Sequence, residues 1–253
     1  MSKITLTAAS RVGNIRSNNE DMVYAYDKFV RNDAYSTEFL TERSDRFLIA
    51  LADGMGGHQA GEVASEMAVD NLRFYVNDIP SGLTSDEFRD SMHLWLHSIN
   101  STINGRGRVN PVQREMGTTL VSVILYNGKY YWMNCGDSRL YRFRDGVLKQ
   151  LTTDHSLNML NGEAKHSNVL TNCIGAGCKD SYIDLCEFTD DFLPGDSYLL
   201  CSDGLNDMIT DEHIQQLMTM NSTADELCNA AVDAGGFDNV SVCVFHVSAE
   251  ENY

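Results

Sequence analysis

Two short turns constrain this chain more than anything else in it. Asn127-Gly128 stands between the β-rich runs Thr119–Tyr126 and Tyr130–Cys135, and Asp145-Gly146 between Arg139–Arg144 and Val147–Leu151. A two-residue hairpin loop needs φ > 0 at both positions, and Asn-Gly and Asp-Gly supply it with a twist that matches the flanking strands. These four runs must therefore form antiparallel pairs. A doubly wound parallel sheet, which needs a helix after each strand, is excluded for this half of the chain.

The rest of the pattern extends that reading. Ile4–Ser10 alternates like a half-buried strand, Met22–Tyr26 looks like a second, and Phe47–Ala52 is wholly apolar. Ser181–Phe188, Tyr198–Ser202 and Val240–Val247 also read as strands. Gly13–Asp21 is a polar turn. Phe29–Arg46 is polar without a clear period and is expected to be a loop. Gly61–Val76 places Val63, Met67, Leu72 and Val76 near one helical face, with Ala64 and Ala68 allowing close packing. Pro80 and Gly82 end it. Ser85 is the expected N-cap of a second long helix striped by Phe88, Met92, Trp95, Leu96 and Ile99. Thr210 and Thr223 are expected caps of two helices, Thr210–Met220 and Thr223–Ala234. Hairpins grouped between helix pairs predict an α+β fold: a central antiparallel β-sandwich flanked on both sides by helix pairs, in α-β-β-α layers. With 253 residues and no long linker, one domain over 1–253 is expected, its core about 4–247.

Composition removes several function classes. The formal net charge is −17. Nucleic acid and anionic membranes attract clustered Lys and Arg, so neither is an expected partner. The start Met1-Ser2-Lys3-Ile4 has no signal-peptide pattern, and no apolar run reaches the ~20 residues of a membrane helix. Seven cysteines without a Cys-x-x-Cys pair argue for buried free thiols in a reducing cytoplasm rather than disulfides or zinc. His93 and His97 could share a helix face but lack a third ligand nearby; a solvated or half-buried face is the stronger reading.

Against that background the aspartates stand out. Asp53-Gly54 follows the apolar run ending at Ala52, Gly136-Asp137 follows Tyr130–Cys135, Asp203-Gly204 follows Tyr198–Ser202, and Asp238-Asn239 precedes Val240–Val247. Carboxylates at strand ends are held rigidly, and several converging on one cleft repel one another unless cations lie between them. Hard divalent ions take carboxylate, carbonyl and water oxygens. The pattern predicts a metal site assembled from distant segments, in an enzyme that activates water.

Four segments carry a family resemblance: Arg16-Ser17-Asn18-Asn19-Glu20-Asp21; Asp53-Gly54-Met55-Gly56-Gly57-His58; Gly136-Asp137-Ser138-Arg139 after Gly117-Thr118-Thr119; and Ser202-Asp203-Gly204-Leu205-Asn206-Asp207 with the later Asp238-Asn239-Val240-Ser241-Val242. In this order, from about Leu6 to Val247, the chain resembles the metal-dependent protein serine/threonine phosphatases of the protein phosphatase 2C family, in their compact bacterial form. The resemblance implies that Asp53 bridges two Mn²⁺ or Mg²⁺ ions and that the Gly54 carbonyl binds the second. It implies Asp203 and Asp238 as further ligands of the first, with Glu20 and Asp21 serving the second partly through water. Asp137, with Asp203 and Asp207, matches a weaker third metal site. Arg16 is the implied phosphate clamp; taken alone it reads as a surface arginine paired with Glu20.

The implied reaction is hydrolysis of protein phosphoserine and phosphothreonine by a water shared between the two cations, with no phosphoenzyme intermediate. Two cations lower that water's pKa toward neutrality. Met55 occupies the place of a histidine in eukaryotic relatives; His58, three residues on, is a candidate proton donor or a structural residue. The segment Leu157–Val169, between Asp154-His155-Ser156 and Leu170-Thr171, corresponds to a flap that is longer in bacterial relatives. Phosphorylated proteins, a serine/threonine kinase of the same cell among them, are the implied partners, and a monomer the implied state.

Overall fold

The computed structural model describes residues 2–42, 46–56, 60–157 and 169–249. Its strands begin with β1 (Ser2–Arg11), β2 (Met22–Ala25), β3 (Lys28–Val30), β4 (Ala34–Thr41), β5 (Phe47–Ala52) and the short β6 (Gly54–Met55). Helices α1 (Ala60–Asp78) and α2 (Ser85–Val109) follow. Next come β7 (Gly117–Thr118), β8 (Leu120–Tyr126), β9 (Lys129–Cys135), β10 (Arg139–Arg144), β11 (Val147–Gln150), β12 (Ile174–Gly175), β13 (Asp184–Glu187) and β14 (Ser197–Cys201). The chain then forms α3 (Asp203–Asn206), α4 (Asp211–Thr219), α5 (Ala224–Asp233) and β15 (Val240–Ala249).

Two antiparallel six-stranded sheets result, ordered β11-β10-β14-β15-β1-β4 and β13-β9-β8-β5-β2-β3. Both expected hairpins form: Asn127 and Gly128 have φ 49° and 74°, Asp145 and Gly146 have 51° and 78°, and the register closes at Tyr126↔Lys129 and Arg144↔Val147. The facing sides of the sheets bury Ile4, Leu6, Ile49, Val121, Leu200 and Phe245 in one core. The outer side of the β5–β8 sheet packs on α1 and α2, through Leu72, Trp95 and Ile124 among others. The outer side of the β14–β15 sheet packs on α4 and α5, through Ile214, Leu227 and Val242. The layers are α-β-β-α.

Strands β1 and β15 pair from Ser2↔Ala249 to Arg11↔Val240. That register brings the segment after Arg11 beside Asp238, more than two hundred residues later. A small third sheet, β12-β7-β6, closes the end where β5 delivers Asp53.

Three expectations need correction. Phe29–Arg46 is not simply a loop: it contains the end of β3 and the whole of β4, an edge strand that exposes Ala34, Ser36, Glu38 and Leu40 on one face and half-buries Tyr35 and Phe39 on the other. Ser85 is the first helical residue rather than the cap. Thr84 Oγ1 accepts from the Glu87 N–H, and the Glu87 side chain accepts from the Thr84 N–H, forming a capping box. On α1 the fully buried face is Ala64, Ala68, Val69, Leu72 and Val76, while Val63 and Met67 are only half-buried. Small side chains let the helix sit close to the sheet, so the alanines take the centre of the contact.

Candidate metal centre

A cavity of about 580 Å³ opens at the end of the sandwich where β5, β14 and β15 present their aspartates. Arg16, Glu20, Asp53, Gly54, Met55, Asp137, Asp203 and Asp238 all line it, joined by Thr119, Leu170 and Asn239. Distant segments thus meet at one place. Asp21 lies beneath the cavity and is fully buried. Asp207 is exposed and off the lining, but its charge reaches Asp137 and Asp203. His58 lies outside the described residues. So do residues 158–168 of the flap segment, whose described ends meet through the Ser156↔Leu170 bridge.

Each acidic residue is positioned by its neighbours. The Asp53 carbonyl accepts from Thr118 Oγ1 and from the Thr119 N–H, both at 2.8 Å, and the Asp53 N–H donates to Thr119 Oγ1 at 3.0 Å. Thr119 Oγ1 lies 2.6 Å from Ser138 Oγ, beside Asp137. Asn239 Nδ2 donates to the Val12 and Asn18 carbonyls, and its Oδ1 accepts from the Glu20 N–H at 2.8 Å. The asparagine after Asp238 therefore ties down the loop that carries Arg16 and Glu20. Ser202 Oγ donates to Asp21 Oδ2 at 2.8 Å and accepts from the Ser241 N–H. Arg31 Nε donates to the Asp21 carbonyl, and its Nη2 to the Glu62 carbonyl of α1. His155 Nδ1 accepts from the Gly136 N–H, and its Nε2 lies 3.1 Å from Asp184 Oδ2.

Thr118 and Thr119 were within the segments that carried the resemblance, but nothing in the sequence gave them this role. Arg31 was missed altogether, and His155 was named only as part of the segment before the flap. Their role exists only once the strands are paired, because each contact crosses between segments far apart in the chain.

The electrostatics are those of a site built for positive charge. Burial, followed by the charges of Asp21, Asp203, Asp137 and Asp238, pushes the Asp53 carboxyl well above its usual range. Burial and the charges of Asp137, Asp207 and Asp238 do the same to Asp203. Burial raises Asp21 to about 6, with the Asp238 charge adding and hydrogen bonds from Ser241 and Ser202 opposing. Asp137 is also raised to about 6, chiefly by burial and then by Asp154. Among the described residues, the buried oxygens Asp21 Oδ1 and Asp203 Oδ1 have no hydrogen-bond partner. Leaving such an oxygen unmet is costly, and a cation satisfies it.

Space for an ion's approach is also built in. A Cβ on Gly54 would collide with the Gly61 carbonyl of α1 and come within 2.5 Å of the Glu20 carbonyl. Only glycine lets three backbone segments close on the cavity wall there. Among the described residues no three His, Cys, Asp or Glu side chains are already gathered around one point. The carboxylates ring open space instead, which suits Mg²⁺-like ions that keep several waters. The donor set is all oxygen, as hard divalent cations require.

Arg16 is 54% exposed at the cleft mouth, and its Nη2 donates to Asp238 Oδ2 at 2.6 Å. Its partner is thus Asp238 across the sheet closure, not Glu20 four residues on.

The pattern that defines protein phosphatase 2C matches residues 25–235. The chain belongs to the protein phosphatase 2C family. It is 32% identical to the serine/threonine protein phosphatase PstP of Mycobacterium tuberculosis over 98% of its own length, and spans 46% of that relative's length. It is 33% identical to protein phosphatase PhpP of Streptococcus pneumoniae, covering 95% of this chain and 96% of that one. Among solved structures, the catalytic domain of PstP in complex with two manganese ions superposes with a TM-score of 0.76 at 31% identity, over 98% of this chain and 100% of that one. A serine/threonine phosphatase of S. agalactiae superposes with a TM-score of 0.79 at 28% identity, over 96% and 99%. The aspartates at the strand ends of this protein phosphatase 2C chain thus sit in a fold shared with a manganese-binding relative.

Proposed function

We propose that this chain hydrolyses phosphoserine and phosphothreonine in proteins, using two Mn²⁺ or Mg²⁺ ions held by the carboxylate cleft. The observation that carries this reading is the ring of Glu20, Asp53, Asp137, Asp203 and Asp238 around one cavity, with unmet oxygens on Asp21 and Asp203. Family membership and the manganese-bound PstP domain support it.

Asp53 and the Gly54 carbonyl are the central ligands in this reading. Asp203 and Asp238 hold the first ion, Glu20 and Asp21 the second through water, and Asp137 with Asp203 and Asp207 a weaker third. Bound there, the cations supply Lewis acidity that makes a water nucleophilic near neutral pH and that neutralises phosphoryl charge. The chain's own residues do the rest. Thr118 and Thr119 fix the Asp53 backbone, so its carboxylate is pre-aimed. Arg16 uses one N–H on Asp238; the other donors of its planar fork are left for phosphoryl oxygens. Met55 has no proton to give, so His58 and water in the cleft are the candidate donors to the leaving alkoxide. All seven cysteines are unpaired thiols, and hydrolysis by a metal-activated water needs no cysteine nucleophile. Phosphorylated proteins, including a serine/threonine kinase of the same cell, are the substrates this chemistry fits.

Phosphate release from phosphothreonine and phosphotyrosine peptides and from a small phosphate ester, with Mn²⁺ or with a chelator, tests the reading. The expected result is fastest turnover of phosphothreonine, abolished by chelation. Folded, manganese-loaded protein that releases phosphate from no phosphopeptide would sink it, and a preference for the small ester would move the substrate class.

A further inference from the structure

The cations of this acidic chain are unevenly satisfied. Most meet an acceptor: Arg46 donates to the Val76, Asn77 and Ile79 carbonyls, Arg139 grips Asp154, and Arg144 grips Asp196. Arg108, Arg114 and Lys179 have no side-chain partner among the described residues, and all three line one cavity of about 520 Å³. Among the described residues no Asp or Glu lines it. A cation in the last turn of a helix is favoured by the helix dipole. That accounts for Arg108 in α2, but not for Arg114 beyond the helix or for Lys179 after β12. All three are exposed on the lining of this cavity, and in a chain of net charge −17 they gather positive charge where an anion can approach.

The cavity wall is built rather than incidental. Asn100 Oδ1 accepts from the Gly175 N–H at 2.7 Å, and Asn104 Oδ1 from the Gly177 N–H at 2.9 Å. Both asparagine amides donate to the Cys178 carbonyl at 3.0 Å. The loop that carries Lys179 is thus pinned to α2. Gly107 lets the segment with Arg114 close in: a Cβ there would stand 2.8 Å from the Gln113 carbonyl oxygen. On the other side of the same segment, a Cβ on Gly56 would stand 2.8 Å from the Glu115 carbonyl oxygen. Gly56 lines the carboxylate cleft. The cavity and the cleft therefore flank one stretch of backbone, residues 113–116.

We propose that this basic cavity is a second phosphate site, which takes another phosphorylated side chain of the same protein substrate while the first lies in the carboxylate cleft. Only the choice of substrate rests on the phosphatase reading; the anion site does not. Arginine forks match tetrahedral phosphate oxygens, and the lysine adds a point charge. The site favours multiply phosphorylated segments, which an acidic protein otherwise repels.

The test uses peptides with one phosphothreonine or with a second at increasing spacing, on the wild-type protein and on the double variant Arg108→Gln/Arg114→Gln. KM is measured with Mn²⁺, and binding to chelated protein by fluorescence anisotropy. The expected result is a KM about tenfold lower for the best doubly phosphorylated peptide, an advantage of ~1.4 kcal/mol, lost in the variant. Turnover of p-nitrophenyl phosphate should be unchanged in the variant. Equal KM for both peptides in the wild type, or an advantage that survives in the variant, overturns the proposal. If no turnover occurs at all, the phosphatase reading fails, while anisotropy still reads the site: binding lost in the variant supports it and equal binding refutes it. An excess of inorganic phosphate added alone distinguishes a free-ion site; displacement of singly and doubly phosphorylated peptides to the same extent also counts against the proposal.

Discussion

Asp203 shows how one side chain serves two opposed demands. It is set where burial and the charges of four carboxylates, Asp137, Asp207, Asp238 and Asp21, oppose its own, and one of its oxygens is unmet among the described residues. Such a position weakens the metal-free protein and is useful only when a cation arrives. Asp203→Asn should therefore lower metal-dependent turnover by about 10²–10³-fold or more, yet raise the melting temperature of the chelated protein. Kinetics beside thermal melts check both, and a variant that is less active and also less stable without metal would contradict the account. Gly54→Ala should destabilise by about 1–3 kcal/mol or more, as overpacking does, because the added methyl meets the Gly61 and Glu20 carbonyls; a denaturant melt matching the wild type would refute this. The aspartates were legible in the sequence because each follows or precedes an apolar run. Thr119, Ser202 and Arg31 were not, since serine, threonine and arginine in polar stretches look alike until their partners are known.

Elements were legible where the local chemistry leaves no choice. Asn127-Gly128 and Asp145-Gly146 dictate their hairpins, and α2 buries the expected stripe of Phe88, Met92, Trp95, Leu96 and Ile99. β4 was not legible, because an edge strand exposes one face and pairs on one side only, so its residues need not be apolar. The start of α2 was misplaced by one residue between two adjacent hydroxyls. Thr84 caps the helix, whereas Ser85 Oγ donates to Glu187 Oε2 at 2.8 Å. Thr84→Ala should lose the capping box and about 0.5–2 kcal/mol of stability. Ser85→Ala leaves that box intact and instead removes the oxygen that accepts from Lys129 Nζ and the Tyr131 hydroxyl and donates to Glu187; a Glu87 amide that exchanges faster in Ser85→Ala than in Thr84→Ala would contradict the assignment of the cap.

The α-β-β-α layers have one consequence for the whole molecule: they concentrate negative charge at one end of a sandwich that is otherwise well packed. Asp21 and Asp137 are raised to about 6, whereas unfolded aspartates titrate near ~3.9. The folded state thus holds protons that the unfolded chain has released. Their contribution to stability is complete below about pH 4 and is lost as pH rises through about 6. Asp53 and Asp203, raised further by burial and mutual repulsion, extend the loss upward. Asp196 and Glu187 are shifted the other way, lowered against burial by hydrogen bonds from Arg144 and Tyr198 and from Ser85 and Lys129. Chelated protein should therefore melt at progressively lower temperature as pH rises through about 6, and the stabilisation by Mn²⁺ should grow over the same range as ions replace protons. A Mn²⁺ shift independent of pH would argue against carboxylates as the ligands. Fold class and layer order were legible because they follow from hairpins, helix periods and apolar runs. The basic cavity at the end of α2 was not, because Arg108, Arg114 and Lys179 come together only when β12 pairs with β7.

The central claim is that these strand-end carboxylates form a cation site, and calorimetric titration of chelated protein with Mn²⁺ near neutral pH tests it most directly. The account predicts saturable binding of at least two ions to the wild-type protein, with the tightest phase lost in Asp203→Asn while the fold is retained. Binding absent from folded wild-type protein, or unchanged in Asp203→Asn, would contradict it.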